Sequence, residues 1–122
     1  VITVGAYDAR TFTYADFSGR GREGEGYRTK PDLAAPGVNV MTRMPGGTVE
    51  AVTGTSFATP FVTGGAALLM EWGIIKENDP YLYGEKIKAY LRKGARKLPG
   101  LSLYPNNQVG YGALCVRDSI PE

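Results

Sequence analysis

From Phe57 to Met70 the chain is apolar almost without a break, interrupted by Thr59, Pro60 and Thr63. A helix that is apolar on every side has to be buried, either in a protein core or in a bilayer. Fourteen residues are too few to cross a bilayer comfortably, and Pro60, Gly64 and Gly65 weaken an isolated span. The expectation is therefore a buried core helix with no membrane span. Gly64, Gly65, Ala66 and Ala67 would let neighbouring backbones approach it closely.

Gly54-Thr55-Ser56 stands at the mouth of this helix. Glycine takes backbone conformations closed to other residues, so a tight turn into the helix is expected there. Pro60 is expected in the first turn, where a missing N–H costs nothing. Two readings of the hydroxyls follow. Ser56 or Thr55 caps the helix by accepting a bond from an orphan N–H. Alternatively Ser56 is a nucleophile, and the free N–H groups and positive dipole end hold an oxyanion beside it.

The whole stretch Gly54-Thr55-Ser56-Phe57-Ala58-Thr59-Pro60, with Val62 and Gly64-Gly65-Ala66-Ala67 after it, resembles the nucleophile segment of the subtilisin-like serine peptidases. Two further stretches agree. Asp32-Leu33-Ala34-Ala35-Pro36-Gly37 is similar to the Asp-x-x-Ala-Pro-Gly element that precedes that segment in the family, and Gly110-Tyr111-Gly112 to the Gly-x-Gly strand that closes its catalytic domain. The similarity runs from Val1 to about Val116. It implies an α/β fold: the later portion of a subtilisin-like parallel sheet, a buried central helix after Ser56, and a peripheral amphipathic helix. It further implies that residues 1–122 are the C-terminal portion of a catalytic domain. The catalytic Asp, the catalytic His and the oxyanion-hole Asn would belong to an N-terminal portion that the chain does not contain. By the same resemblance Ser56 is the nucleophile, Gly54, Thr55 and Ser56 form the nucleophile loop, and Thr55 is a secondary donor near the oxyanion hole. Asp32 is expected to be a structural carboxylate, because no Asp here has the context of the family's catalytic one. Phe61 departs from the pattern, since the family commonly has a histidine one residue after this proline. Cys115 departs as well, standing where Asn is frequent.

The chain contains no histidine. A serine hydroxyl is a poor nucleophile without an adjacent base, so no Ser-His-Asp triad exists within these 122 residues. The chain alone is expected to be inactive, the activity being peptide-bond hydrolysis in the intact parent. No cofactor is required by such chemistry. The resemblance allows structural calcium in the intact domain, although Asp32 alone makes no site. The expected partners are protein or peptide substrates and the N-terminal portion of the same domain. A cut sheet should expose strand edges and apolar faces, so the isolated chain is expected to self-associate. A formal net charge of +2 gives no argument for nucleic acid. The lone Cys115 cannot form an internal disulfide and reads as a buried structural thiol, which leaves the compartment open. Family habit favours a secreted or cell-associated bacterial protein.

Elsewhere, Val1 to Ala6 reads as a buried strand, Tyr7 to Phe17 as a surface strand or turn, and Ser18 to Thr29, rich in Gly, Arg and Glu, as a mobile loop. That loop matches neither a Walker A nor a dinucleotide fingerprint, so phosphate binding is not expected of it. Prolines make Lys30 to Gly37 a rigid entry to a strand at Val38 to Met41, and Thr48 to Val52 reads as another. Asn78-Asp79-Pro80 signals a helix start, and Ile87, Tyr90, Leu91 and Leu98 give an amphipathic helix over Tyr83 to Leu98. Its Lys and Arg residues read as a solvated face. Val109 to Val116 is the closing strand. Two other classes remain in view: a subtilisin-like pseudoenzyme or regulatory binding module, and a basic module built on Lys86 to Lys97.

Overall fold

The computed structural model describes residues 1–22, 26 and 28–121. Two small residues explain its centre. Ala34 and Ala35 lie in strand β3 (Leu33–Pro36), which pairs in parallel with β1 (Val4–Asp8). Successive side chains of a strand point to opposite faces, and both faces are covered here. Ala6, Leu33 and Ala35 face one core cluster, whereas Tyr7 and Ala34 face another with Leu98, Val109 and Ala113. Burial on both faces is what a parallel sheet requires. At the far edge β2 (Thr13–Tyr14) pairs antiparallel with β1, giving the order β2-β1-β3. A separate antiparallel hairpin, β4 (Val40–Arg43) and β5 (Val49–Val52), leads into helix α1 (Thr55–Met70).

Helix α1 packs on β1 and β3, and its buried residues are Ala58, Val62, Gly65 (against Leu114 and Val116) and Leu69. These fall at helical spacing and form one stripe. Burial on every face is therefore not observed: Phe61 is 42% exposed and Leu68 51%. The described residues supply neighbours on one side of the helix only. The helix also runs on past Met70 as a π-helical turn, Glu71–Ile75. Thr55–Ile75 makes 21 residues, and its most apolar 18 have mean hydropathy 1.2, long and apolar enough by length and composition to cross a bilayer. The length argument against a span thus fails, and what speaks for a core helix is the packed stripe.

The remaining elements are α2 (Glu85–Gly94) and α3 (Val116–Ser119), packed closely on each other. Several expectations shift. β1 begins three residues late, because Thr3 bonds to Asp32 through Oδ2 and backbone instead of continuing the ladder. The proline-flanked entry is itself the strand β3, and the next strand starts at Val40. Asn78-Asp79-Pro80 starts no helix. Asn78 Nδ2 donates to the Trp72 carbonyl at the end of the preceding helix, while the Asp79 carboxylate accepts from Lys86 and Tyr90. With both side chains so engaged, α2 starts later, behind Gly84, and ends at Gly94, short of Leu98.

The closing strand is reduced to bridges. Ala113 pairs with Ala34 on one side and with Arg96 on the other. Gly110 (φ 59°) and Gly112 (φ 125°) break the extended run, and α3 follows at Val116. Cys115 is half-buried rather than buried. The Ser18 to Thr29 segment is pinned at Gly21, whose N–H donates to the Asn107 carbonyl at 2.9 Å. The mobile-loop reading falls in part on Glu23, Gly24, Glu25 and Tyr27, which lie outside the described residues.

Candidate active site

The mouth of α1 is fixed by a relay of backbone bonds from the sheet. The Gly37 N–H donates to the Tyr7 carbonyl (3.1 Å), and the Gly54 N–H donates to the Gly37 carbonyl (2.8 Å). Tyr7 lies near the end of β1 and Gly37 follows the end of β3. Ser56 therefore stands outside the carboxyl ends of the parallel pair, where open α/β sheets place their ligands. Gly54 has φ 153° and ψ 158°, a conformation reserved in practice for glycine. Gly37 was not singled out as a site residue from sequence. A Cβ there would lie 2.7 Å from that of Ala6 and 2.9 Å from the Gly54 carbonyl oxygen, so only glycine permits this approach. The Pro36-Gly37 pair was the available signal.

The capping reading of the hydroxyls fails. Gly54 occupies the cap position and no side chain caps the helix. Ser56 lies one residue inside α1, is exposed, and its Oγ has no hydrogen-bond partner among the described residues. Thr55 is half-buried and directly precedes it, so the structure brings Gly54, Thr55 and Ser56 together in one first turn. The N–H groups of Thr55 and Ser56 have no intrahelical acceptor, by the geometry of a helix start. Pro60 is the sixth helical residue and lies beyond the first turn, which leaves the Ser56 carbonyl without its i+4 donor. Thr59 and Thr63 donate their hydroxyls to the carbonyls of Thr55 and Thr59 on either side of it (3.2 and 3.3 Å). Beside the mouth, Phe57, Pro60 and Phe61 form with Val40 and Met41 an apolar groove of about 250 Å³.

Asp32 is fully buried and is not a partner of Ser56. Its Oδ2 accepts from Lys30 Nζ (2.7 Å) and the Thr3 N–H (2.8 Å), and its Oδ1 from Arg92 Nη2 (2.8 Å). Burial pushes this carboxyl up, but the bonds from Lys30, Thr3 and Arg92 more than reverse that, holding it below the usual carboxylate range. The structural role expected of Asp32 is observed. Asp32 has no free oxygen to offer a metal ion. Both Asp32 oxygens are taken by cations and an N–H, and no group of three or more His, Cys, Asp or Glu gathers among the described residues.

The sequence profile of the subtilase family, Peptidase S8, matches residues 1–112. The chain belongs to the subtilase family. It is similar to Subtilisin BL of Lederbergia lenta, 38% identical over 78 residues, covering 64% of this chain and 27% of the relative. It is also similar to the serine protease AprX of Bacillus subtilis (strain 168), 33% identical over 99% of this chain and 30% of the relative. Among solved structures, the Clostridium perfringens CspB protease superposes with a TM-score of 0.94 at 45% identity, over 98% of this chain and 25% of that one. The α/β architecture is therefore that of subtilisin-like proteases. The chain spans well under half the length of these relatives.

Proposed function

We propose that the protein carrying this chain is a subtilisin-type serine endopeptidase with Ser56 as its nucleophile. One observation carries the reading most: in a subtilase chain, Ser56 holds an exposed hydroxyl, without a partner among the described residues, in the first turn of α1, outside the carboxyl ends of β1 and β3. Ser56 Oγ attacks the scissile peptide carbonyl, and its proton passes to a histidine outside the 122 residues. The Ser56 N–H, with the Thr55 hydroxyl beside it, faces the oxyanion, together with a donor also supplied from outside. The histidine then protonates the leaving amine, and water releases the acyl group from Oγ. The substrates are proteins or peptides, not nucleic acids, and no cofactor enters.

The exposed faces of α1 are read as the surface on which the rest of the catalytic domain packs, with no role as a bilayer span. In the intact protein Ser56→Ala should lower kcat for a peptide substrate by roughly six orders of magnitude, the loss known for the nucleophile of subtilisin itself. Unchanged hydrolysis in that variant would overturn the assignment. The 122-residue chain alone should show no turnover. Serine-dependent hydrolysis by the purified chain would contradict the need for an external base.

A further inference from the structure

A second cavity, of about 430 Å³, lies against the first two turns of α2 and the approach to β3. Among the described residues its wall carries four cations, Arg28, Lys30, Lys88 and Arg92, with one carboxylate, Glu85, and the ring of Tyr111. Asp32 beneath it compensates only two of the four, Lys30 and Arg92. Lys88 is the telling residue. It is 5% exposed, yet its ammonium has no hydrogen-bond acceptor among the described residues, and its nearest carboxylate oxygen is Glu85 Oε1 at 3.6 Å. Glu85 itself is 78% exposed, so it is a weakly held partner. Arg92 is fixed by Asp32 on one side and lies over the Tyr111 ring at 4.7 Å, while its Nε, shielded from solvent, has no acceptor among the described residues.

An ammonium held in so buried a side chain without a protein acceptor is poorly solvated, a cost that a hydrogen-bonded anion in the cavity would offset. The donors are preset, because Lys88 and Arg92 stand one turn apart on one face of α2, and Lys30 approaches from the neighbouring segment. A cavity of this volume is in the range of small-molecule sites, about 300–1,000 Å³. We propose that it binds a small multivalent phosphate-type oxyanion, held by Lys88 and Arg28 with Lys30 and Arg92 around it. The proposal does not depend on the role of Ser56.

Calorimetric titration of the full-length protein with inorganic pyrophosphate tests it. Saturable binding is expected, weakening as NaCl is raised. The double variant Arg28→Gln/Lys88→Gln should lose affinity by roughly a hundredfold, about tenfold for each charge-assisted contact. Arg28 is exposed, so Arg28→Gln alone, expected to lose roughly tenfold, keeps the test decisive if the Lys88 variant fails to fold. Absence of saturable binding would overturn the proposal, and so would equal affinity in folded variants. Binding of an acidic peptide with none of pyrophosphate would overturn it in favour of a protein partner.

Discussion

Ser56 owes its availability to residues that carry no chemistry. Gly37 and Gly54 let the ends of β3 and α1 meet through one backbone bond, and Gly37→Ala would drive a Cβ into Ala6 and the Gly54 carbonyl. That variant of the intact protein should lose about 1–3 kcal/mol in denaturant unfolding, and its kcat should fall because the mouth of α1 is displaced. Asp32 gives a prediction with a sign. Its carboxyl lies below its ordinary value in the folded state, so its contribution is complete above the unfolded value of about 3.9 and is lost as pH falls through the folded one. Unfolding followed from pH 7 downward should show stability dropping below about pH 4. Asp32→Asn should flatten that limb and cost about 2–3 kcal/mol at pH 7. This is below the range for fully buried pairs, since Lys30 and Arg92 are each about a third open to water. An acid limb unchanged in the variant would contradict this. The structural role of Asp32 was legible because its motif is local. Its partner Arg92, 60 residues further on, was not, because nothing in the charge pattern of α2 says which cations turn inward. For the same reason the sequence reads Lys88 as solvated, whereas its side chain is buried.

Among the elements, α1 was the most legible, since a long apolar run after a Gly-Thr-Ser turn leaves few alternatives. Its burial was misjudged because composition reports how much of a helix is apolar, not which partners are present. α2 shows the opposite failure. Its apolar spacing placed the helix, but Asp79 binds Lys86 and Tyr90 where a cap was expected, so its start was misplaced. Its packing depends on Gly94, where a Cβ would lie 2.3 Å from Ser119 Oγ and 2.5 Å from the Ser119 N. Part of that clash is with backbone, which cannot rotate away. Gly94→Ala should therefore separate α2 from α3 and cost about 1–3 kcal/mol, despite alanine's better helix propensity. A raised melting temperature in that variant would show that the α2–α3 approach is looser than described.

For the whole molecule, family membership was legible because its motifs are contiguous in sequence, whereas the way the sheet closes was not. Val109 to Val116 reads as a strand, but two glycines at positive φ leave one residue, Ala113, bridging Ala34 and Arg96. Large apolar side chains remain open, among them Met41 (64%), Leu68 (51%) and Ile75 (75%). Apolar surface of this kind associates in water. Sedimentation of the isolated chain should show concentration-dependent self-association, and a monodisperse monomer across the micromolar range would contradict that expectation.

A working nucleophile at Ser56 in the intact protein would be open to covalent labelling. The full-length protein is treated with a fluorophosphonate probe and the adduct located by peptide mapping. A single adduct on Ser56 is expected, abolished by heat denaturation beforehand. No labelling in folded, fully processed protein would contradict it and favour a subtilase fold that has lost its catalysis.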